Sequence, residues 1–67
     1  MSKADEELIA EVHRVAEGME ARGGSFCQHL GRALWKADLE NMRKIKATWP
    51  EYWSQYLEVG KMLRGEQ

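Results

Sequence analysis

The sequence predicts an all-α fold: a small compact bundle of about four helices, with one long N-terminal helix packed on three shorter ones. Three observations carry this expectation. Apolar residues recur at helical spacing along most of the chain, and no run alternates at period two as a half-buried strand would. Strong punctuation is confined to Gly23–Gly24 and the lone Pro50, so connections are short and favour neighbouring antiparallel or angled helices. Three tryptophans in 67 residues point to a core built from a few large side chains. Residues 1–67 form one domain, near the lower size limit for independent folding.

The first helix is expected over residues 3–22, with Ser2 as its N-cap. Leu8, Val12, Val15, Ala16 and Met19 fall on one stripe, and Asp5, Glu6, Glu7 and Glu11 complement the positive helix end. Gly23 and Gly24 are then expected to supply the positive φ that ends it. The second helix, 26–37, opens on Ser25 and Gln28, spaced as a capping box, and its stripe is Phe26, Leu30, Ala33, Leu34 and Ala37. Asp38 reads as the N-cap of the third, 39–48, whose Leu39, Met42 and Ile45, followed by Trp49, are spaced for burial. The fourth, 49–64, starts on a second capping box, Thr48 to Glu51. Pro50 suits its first turn, where a missing N–H has no partner to lose. Trp49, Tyr52, Trp53, Tyr56, Gly60 and Leu63 share about one third of its wheel, so most of this aromatic run is expected to face the core.

A formal net charge of −1 gives no global field drawing the chain to nucleic acid or membrane. The charge is uneven, −3 over residues 1–22 and +2 over residues 23–67. One cysteine, Cys27, excludes an intrachain disulfide and suits a reducing compartment. The N-terminus lacks the apolar stretch of a signal peptide, and no run of about 18 apolar residues is present. A cytoplasmic protein is expected.

Neither a metal nor another cofactor is expected. Cys27 and His29 project about 160° apart on their helix and cannot share an ion within it. Cys27 occupies a first turn, where the helix dipole lowers a thiol's pKa, but no acid–base partner is evident. "RGGS" is a helix break followed by a cap rather than a phosphate loop. So small a chain has little volume for an enclosed active site, and an enzyme is not expected.

Two surfaces remain. Arg32, Lys36, Arg43, Lys44 and Lys46 make a basic segment that a DNA- or RNA-binding module would use, provided the charges converge on one face. Arg43, Lys44 and Lys46, however, spread over about 160° of the wheel. The sharper feature is Trp35. Measured from Phe26, the apolar residues of the second helix lie between about −20° and +100°, whereas Trp35 lies at about 180°, beside Gln28 and Arg32 and near Lys36. Tryptophan next to arginine matches the composition of protein-interface hot spots. Met62 is similarly off the stripe of the fourth helix. Gln28, Arg32, Trp35, Lys36 and Met62 are therefore the interface candidates, against a reading in which Trp35 packs on the first helix.

The stretch from Gly23 to Tyr56 carries Gly24-Ser25-Phe26, then Ala33-Leu34 with Ala37-Asp38. Asn41, Lys44, Ile45, Ala47 and Trp49 follow, then Pro50-Glu51-Tyr52-Trp53 with Tyr56. This pattern resembles a family of small uncharacterised helical proteins encoded by bacteriophages and prophages. Trp49 stands where that pattern more often has phenylalanine, and Trp35 where it has a polar or small residue. The resemblance implies an all-helical fold and an origin in a mobile element. It also implies a role of the kind such proteins often play, binding and inhibiting a host protein, as anti-CRISPR factors do. The expectation is thus a non-enzymatic module that binds a host protein or a second copy of itself, with nucleic-acid binding as the alternative.

Overall fold

In the computed structural model, which describes residues 2–66, four helices follow in order: α1 Lys3–Arg22, α2 Ser25–Lys36, α3 Leu39–Thr48 and α4 Pro50–Leu63. The expected bundle is present, and α1 contacts all three shorter helices. Two expected caps form. The Ser2 hydroxyl accepts from the Asp5 amide, and the Asp38 carboxylate accepts from the Asn41 amide at 2.9 Å. Pro50 is in the first turn of α4, as expected.

The two capping boxes do not form. Helix α2 begins one residue early, with Gly24 as N-cap, which puts Ser25 inside the helix. The Gln28 side chain instead donates back to the Gly23 carbonyl at 3.1 Å. Before α4, the Thr48 hydroxyl is taken by the Lys44 carbonyl of the preceding turn at 2.6 Å, so α4 starts without a side-chain cap. Neither Gly23 nor Gly24 has a positive φ; both are extended. Space accounts for Gly23: a Cβ there would lie 2.5 Å from the Met19 carbonyl oxygen and 2.6 Å from the Cys27 Cβ. The left-handed position is Gly65, at φ 75°. There the Gly65 amide donates to Met62 and the Glu66 amide to Lys61, a Schellman closure.

The core is Leu8, Val12, Val15, Ala16 and Met19 of α1 with Cys27, Leu30, Leu34, Trp53 and Tyr56. The stripe of α1 is as predicted. That of α2 is turned. Its buried residues are Cys27, Leu30, Gly31 and Leu34, an arc from about 40° to 140° on the wheel used above. Phe26 and Ala33, expected inside, are exposed. The cause is Gly31, whose missing side chain lets α2 approach α1. A Cβ there would meet Met19 Cβ at 3.0 Å and the Ala16 carbonyl oxygen at 3.1 Å. The aromatic run of α4 also divides: Trp53 and Tyr56 are core, whereas Tyr52 and Leu63 are exposed and Trp49 is half-buried. Helix α3 has no fully buried residue; Leu39, Met42 and Ile45 are half-covered against the core.

Helices α1 and α4 meet backbone to backbone. A Cβ on Gly60 would lie 2.0 Å from the Arg14 carbonyl oxygen, and one on Gly18 would lie 2.5 Å from that of Tyr56. Both neighbours are main chain and cannot swing aside. Alanine in place of glycine would add up to about 1 kcal/mol of helix propensity, but overpacking of this kind typically costs about 1–3 kcal/mol or more. We expect Gly60→Ala to lower stability by at least about 1 kcal/mol net, and Gly18→Ala to do so to a smaller extent. Gly24→Ala, with nothing within 4 Å of the new methyl, should change it by less than about 1 kcal/mol. Urea denaturation followed by far-ultraviolet circular dichroism checks the order.

Candidate functional site

Helix α2 runs antiparallel to α1, and the turn of its buried arc sets what lies on its flanks. Trp35, at about 180°, sits just beyond one edge of that arc and Phe26, at 0°, just beyond the other. Each is therefore partly packed and partly open, on opposite sides of the helix.

On the Trp35 flank, the indole stacks on His13 of α1, with ring centroids 5.2 Å apart and planes tilted by 36°. Its Nε1–H donates to Glu20 Oε1 at 2.5 Å, and Glu20 Oε2 lies 4.0 Å from Arg32 Nε. The reading in which Trp35 packs on the first helix thus holds in part. One face packs on α1, and 43% of the residue remains exposed. His13, Glu17 and Glu20 occupy one ridge of α1, bordered by Arg32 and Trp35 of α2 and by Arg64, the C-cap of α4, which is ion-paired with Glu17. Two of the other interface candidates stand apart from this cluster. Gln28 is engaged with Gly23, and Met62, 67% exposed, lies on α4. Lys36 is exposed next to Trp35 in the chain.

The basic candidates are mostly neutralised. Arg43 pairs with Asp5, Lys46 with Glu11, Lys44 with Glu40, and Arg32 is near Glu20. The charge imbalance along the chain is thereby resolved in space, since the acids of α1 face bases of the three other helices. Nor do the five converge: Arg43 and Lys46 turn toward α1, whereas Lys44 pairs within α3.

Glu11 is the centre of this network. Its Oε1 accepts from Lys46 Nζ at 2.9 Å and from the indole N–H of buried Trp53 at 2.8 Å, and the Lys46 ammonium sits 5.7 Å from the Trp53 ring centroid. Burial pushes the Glu11 carboxyl up, but the hydrogen bonds from Trp53 and Lys46 outweigh it and hold it below the usual range. Asp5 is held low in the same sense, against some burial, by Arg43 and Ser2. Glu66 is held low by Arg14, whose Nε and Nη2 grip it at 2.5 and 2.7 Å.

On the Phe26 flank, a second cluster was missed by the periodicity argument. Phe26 is 54% exposed and meets Trp49 edge-on at 5.7 Å and Tyr52 at 6.1 Å between ring centroids. Beside it, Thr48, Trp49, Pro50, Glu51 and Tyr52 line an open cleft of about 280 Å³. In a shallower groove of about 260 Å³, between Glu7, Ala10, Glu11 and Arg14 of α1 and Leu57 and Lys61 of α4, the charges of Glu11, Arg14 and Lys61 are already paired with Lys46, Glu66 and Glu58. The signal for the Phe26 flank was present in Gly31 and Cys27, small residues whose side of α2 can approach α1 most closely.

Cys27 is buried; burial, and after it the contact with Cys27, push the Tyr56 phenol's pKa up. Among the described residues, no group of three or more His, Cys, Asp or Glu side chains is placed to hold a metal ion, and no helix is long and apolar enough to cross a membrane. Comparison with protein-family models, curated proteins and solved structures gives no significant match. The reading of the surface therefore rests on its own chemistry.

Two outcomes follow from the Glu11 network. Glu11→Ala strands the buried Trp53 N–H and should cost about 1–3 kcal/mol, whereas Glu11→Gln keeps an acceptor and should cost less. Because Asp5, Glu11 and Glu66 have folded-state values below their unfolded ones, their stabilisation is present above the unfolded carboxylate range, about pH 4–4.5, and lost as pH falls through the lowered values. Stability measured by urea denaturation should therefore fall on acidification below about pH 4.5, and Glu11→Gln should flatten that fall.

Proposed function

We propose that this protein is a binding module that engages a protein partner through the α1–α2 face centred on Trp35. The observation that supports this is the state of Trp35 itself. Its N–H is satisfied by Glu20 and one face is fixed on His13, while 43% of the residue stays exposed. A large ring held in one orientation loses little conformational freedom on binding, and tryptophan with flanking arginine is the composition that dominates interface energetics. Arg32 and Arg64 border the same ridge, each already near an acid. The likeness of the Gly24–Tyr56 pattern to phage-encoded proteins supports a host protein as the partner, with inhibition as the consequence of binding.

Trp35→Ala removes a half-exposed ring and should lower stability by only about 1 kcal/mol, the scale of one aromatic pair, leaving the helical circular dichroism intact. The same substitution should abolish retention of a specific protein from bacterial host lysate, while Trp35→Phe retains part of it. Light scattering over a range of concentrations separates a heterologous partner from a second copy. A Trp35→Ala protein that folds and binds like the parent would refute this reading.

A further inference from the structure

The second aromatic cluster has a chemistry of its own. Trp49 and Tyr52 line the open cleft together with Glu51, and Phe26 packs against both rings from α2. The surrounding surface is rich in ion pairs, yet Glu51 is in none. Outside α1, Glu40, Glu58 and Glu66 are matched to Lys44, Lys61 and Arg14, and Asp38 caps α3. Glu51 is thus the one acidic side chain on the three shorter helices without a polar partner, among the described residues. A carboxylate beside exposed aromatic rings favours a cation. The ring faces are electron-rich, the carboxylate supplies full charge, and an anion would be repelled. The N-terminus of α4 opposes a cation with about half a positive charge, which the carboxylate outweighs. An apolar occupant would leave Glu51 desolvated and unmatched.

The same protein already builds this arrangement internally. Lys46 lies over the Trp53 ring with its ammonium 2.9 Å from the Glu11 carboxylate. The cleft brings the same residue types together, Trp49 and Tyr52 with Glu51, and among the described residues no cationic side chain lines it. Its volume of about 280 Å³ falls just below the roughly 300–1,000 Å³ of small-molecule sites, and it is open, which suits a single side chain entering from another surface.

The geometry points to a second contact site, in which the Trp49–Glu51–Tyr52 cleft receives an arginine or lysine side chain of a partner protein. This inference extends the protein-binding reading. It lies on the opposite flank of α2 from Trp35, so the two can fail separately.

The probe is acetyl-Gly-Arg-Gly-amide titrated at low salt into ¹⁵N-labelled full chain, with acetyl-Gly-citrulline-Gly-amide as the neutral isostere. We expect saturable shifts of the Trp49 indole N–H and of the Glu51 and Tyr52 amides. The citrulline peptide should bind at least about five-fold more weakly, and so should the arginine peptide to Glu51→Gln, an exposed substitution that leaves the fold intact. Trp35→Ala should bind the peptide as the parent does; were it to keep both the peptide and the protein partner, only this site would stand, whereas loss of the partner by Trp35→Ala in a chain that binds no peptide would leave only the Trp35 face. Equal binding of the citrulline peptide, an unchanged affinity in Glu51→Gln, or shifts confined to the unpaired acids Glu6 and Glu7 of α1 would overturn the assignment. A doubled mass without peptide that Glu51→Gln reverses would also overturn it, by giving the cleft to a second copy.

Discussion

The backbone contact between α1 and α4 at Gly18 and Gly60 is the constraint on which the rest of this fold depends. With a Cβ on Gly60 facing the Arg14 carbonyl at 2.0 Å, any other residue holds the helices apart. Close approach there brings Trp53 and Tyr56 onto Val12, Val15 and Met19 and sets Trp53 beside Glu11, where its N–H is satisfied. It also brings the end of α4 within reach of α1. Gly65 turns the chain, Glu66 engages Arg14 and Arg64 engages Glu17. A bundle this small cannot stabilise itself by size, since the buried fraction of its surface is low. It compensates with close helix contacts and with polar links between α1 and its three neighbours.

Gly31 plays the same part between α1 and α2, and its consequence is at the surface. By drawing the Cys27–Gly31 side of α2 inward, it leaves Trp35 and Phe26 at the two margins of the buried arc. Each margin carries an aromatic ring held by neighbours on one side and open on the other. The core arrangement and the two exposed aromatic margins are therefore one feature: the rotation of α2 that permits the closest backbone approach also determines which rings remain accessible.

Charge follows a parallel logic. The acids of α1, which in sequence serve the helix's positive end, mostly serve other helices. Asp5 and Glu11 reach bases on α3, Glu17 the arginine that caps α4, and Glu20 a base on α2. Exposed pairs of this sort contribute little each, but together they neutralise the basic segment that alone suggested nucleic acid. Outside α1, whose Glu6 and Glu7 are also unpaired, the unmatched carboxylate of Glu51 stands out from that background, as does the open face of Trp35.

The sequence by itself determined the helix count, every boundary to within one residue, the buried stripe of α1 and the caps at Ser2 and Asp38. These depend on local periodicity and on bonds spanning three or four residues, which any reading of neighbours captures. It also singled out Trp35 as off the apolar stripe. Only the tertiary structure decided which side of α2 is buried and which rings of α4 stay outside. Hydrophobic spacing locates a stripe to within the width of a side chain, whereas the final rotation is set by where two backbones can touch. The glycines that allow this contribute no hydrophobicity, so Gly18, Gly31 and Gly60 acquired their meaning only once α1 had neighbours. The same holds for Thr48 and Gln28, whose polar groups found nearer carbonyls than the caps their spacing suggested, and for Phe26, which became part of the surface when Gly31 became part of the core.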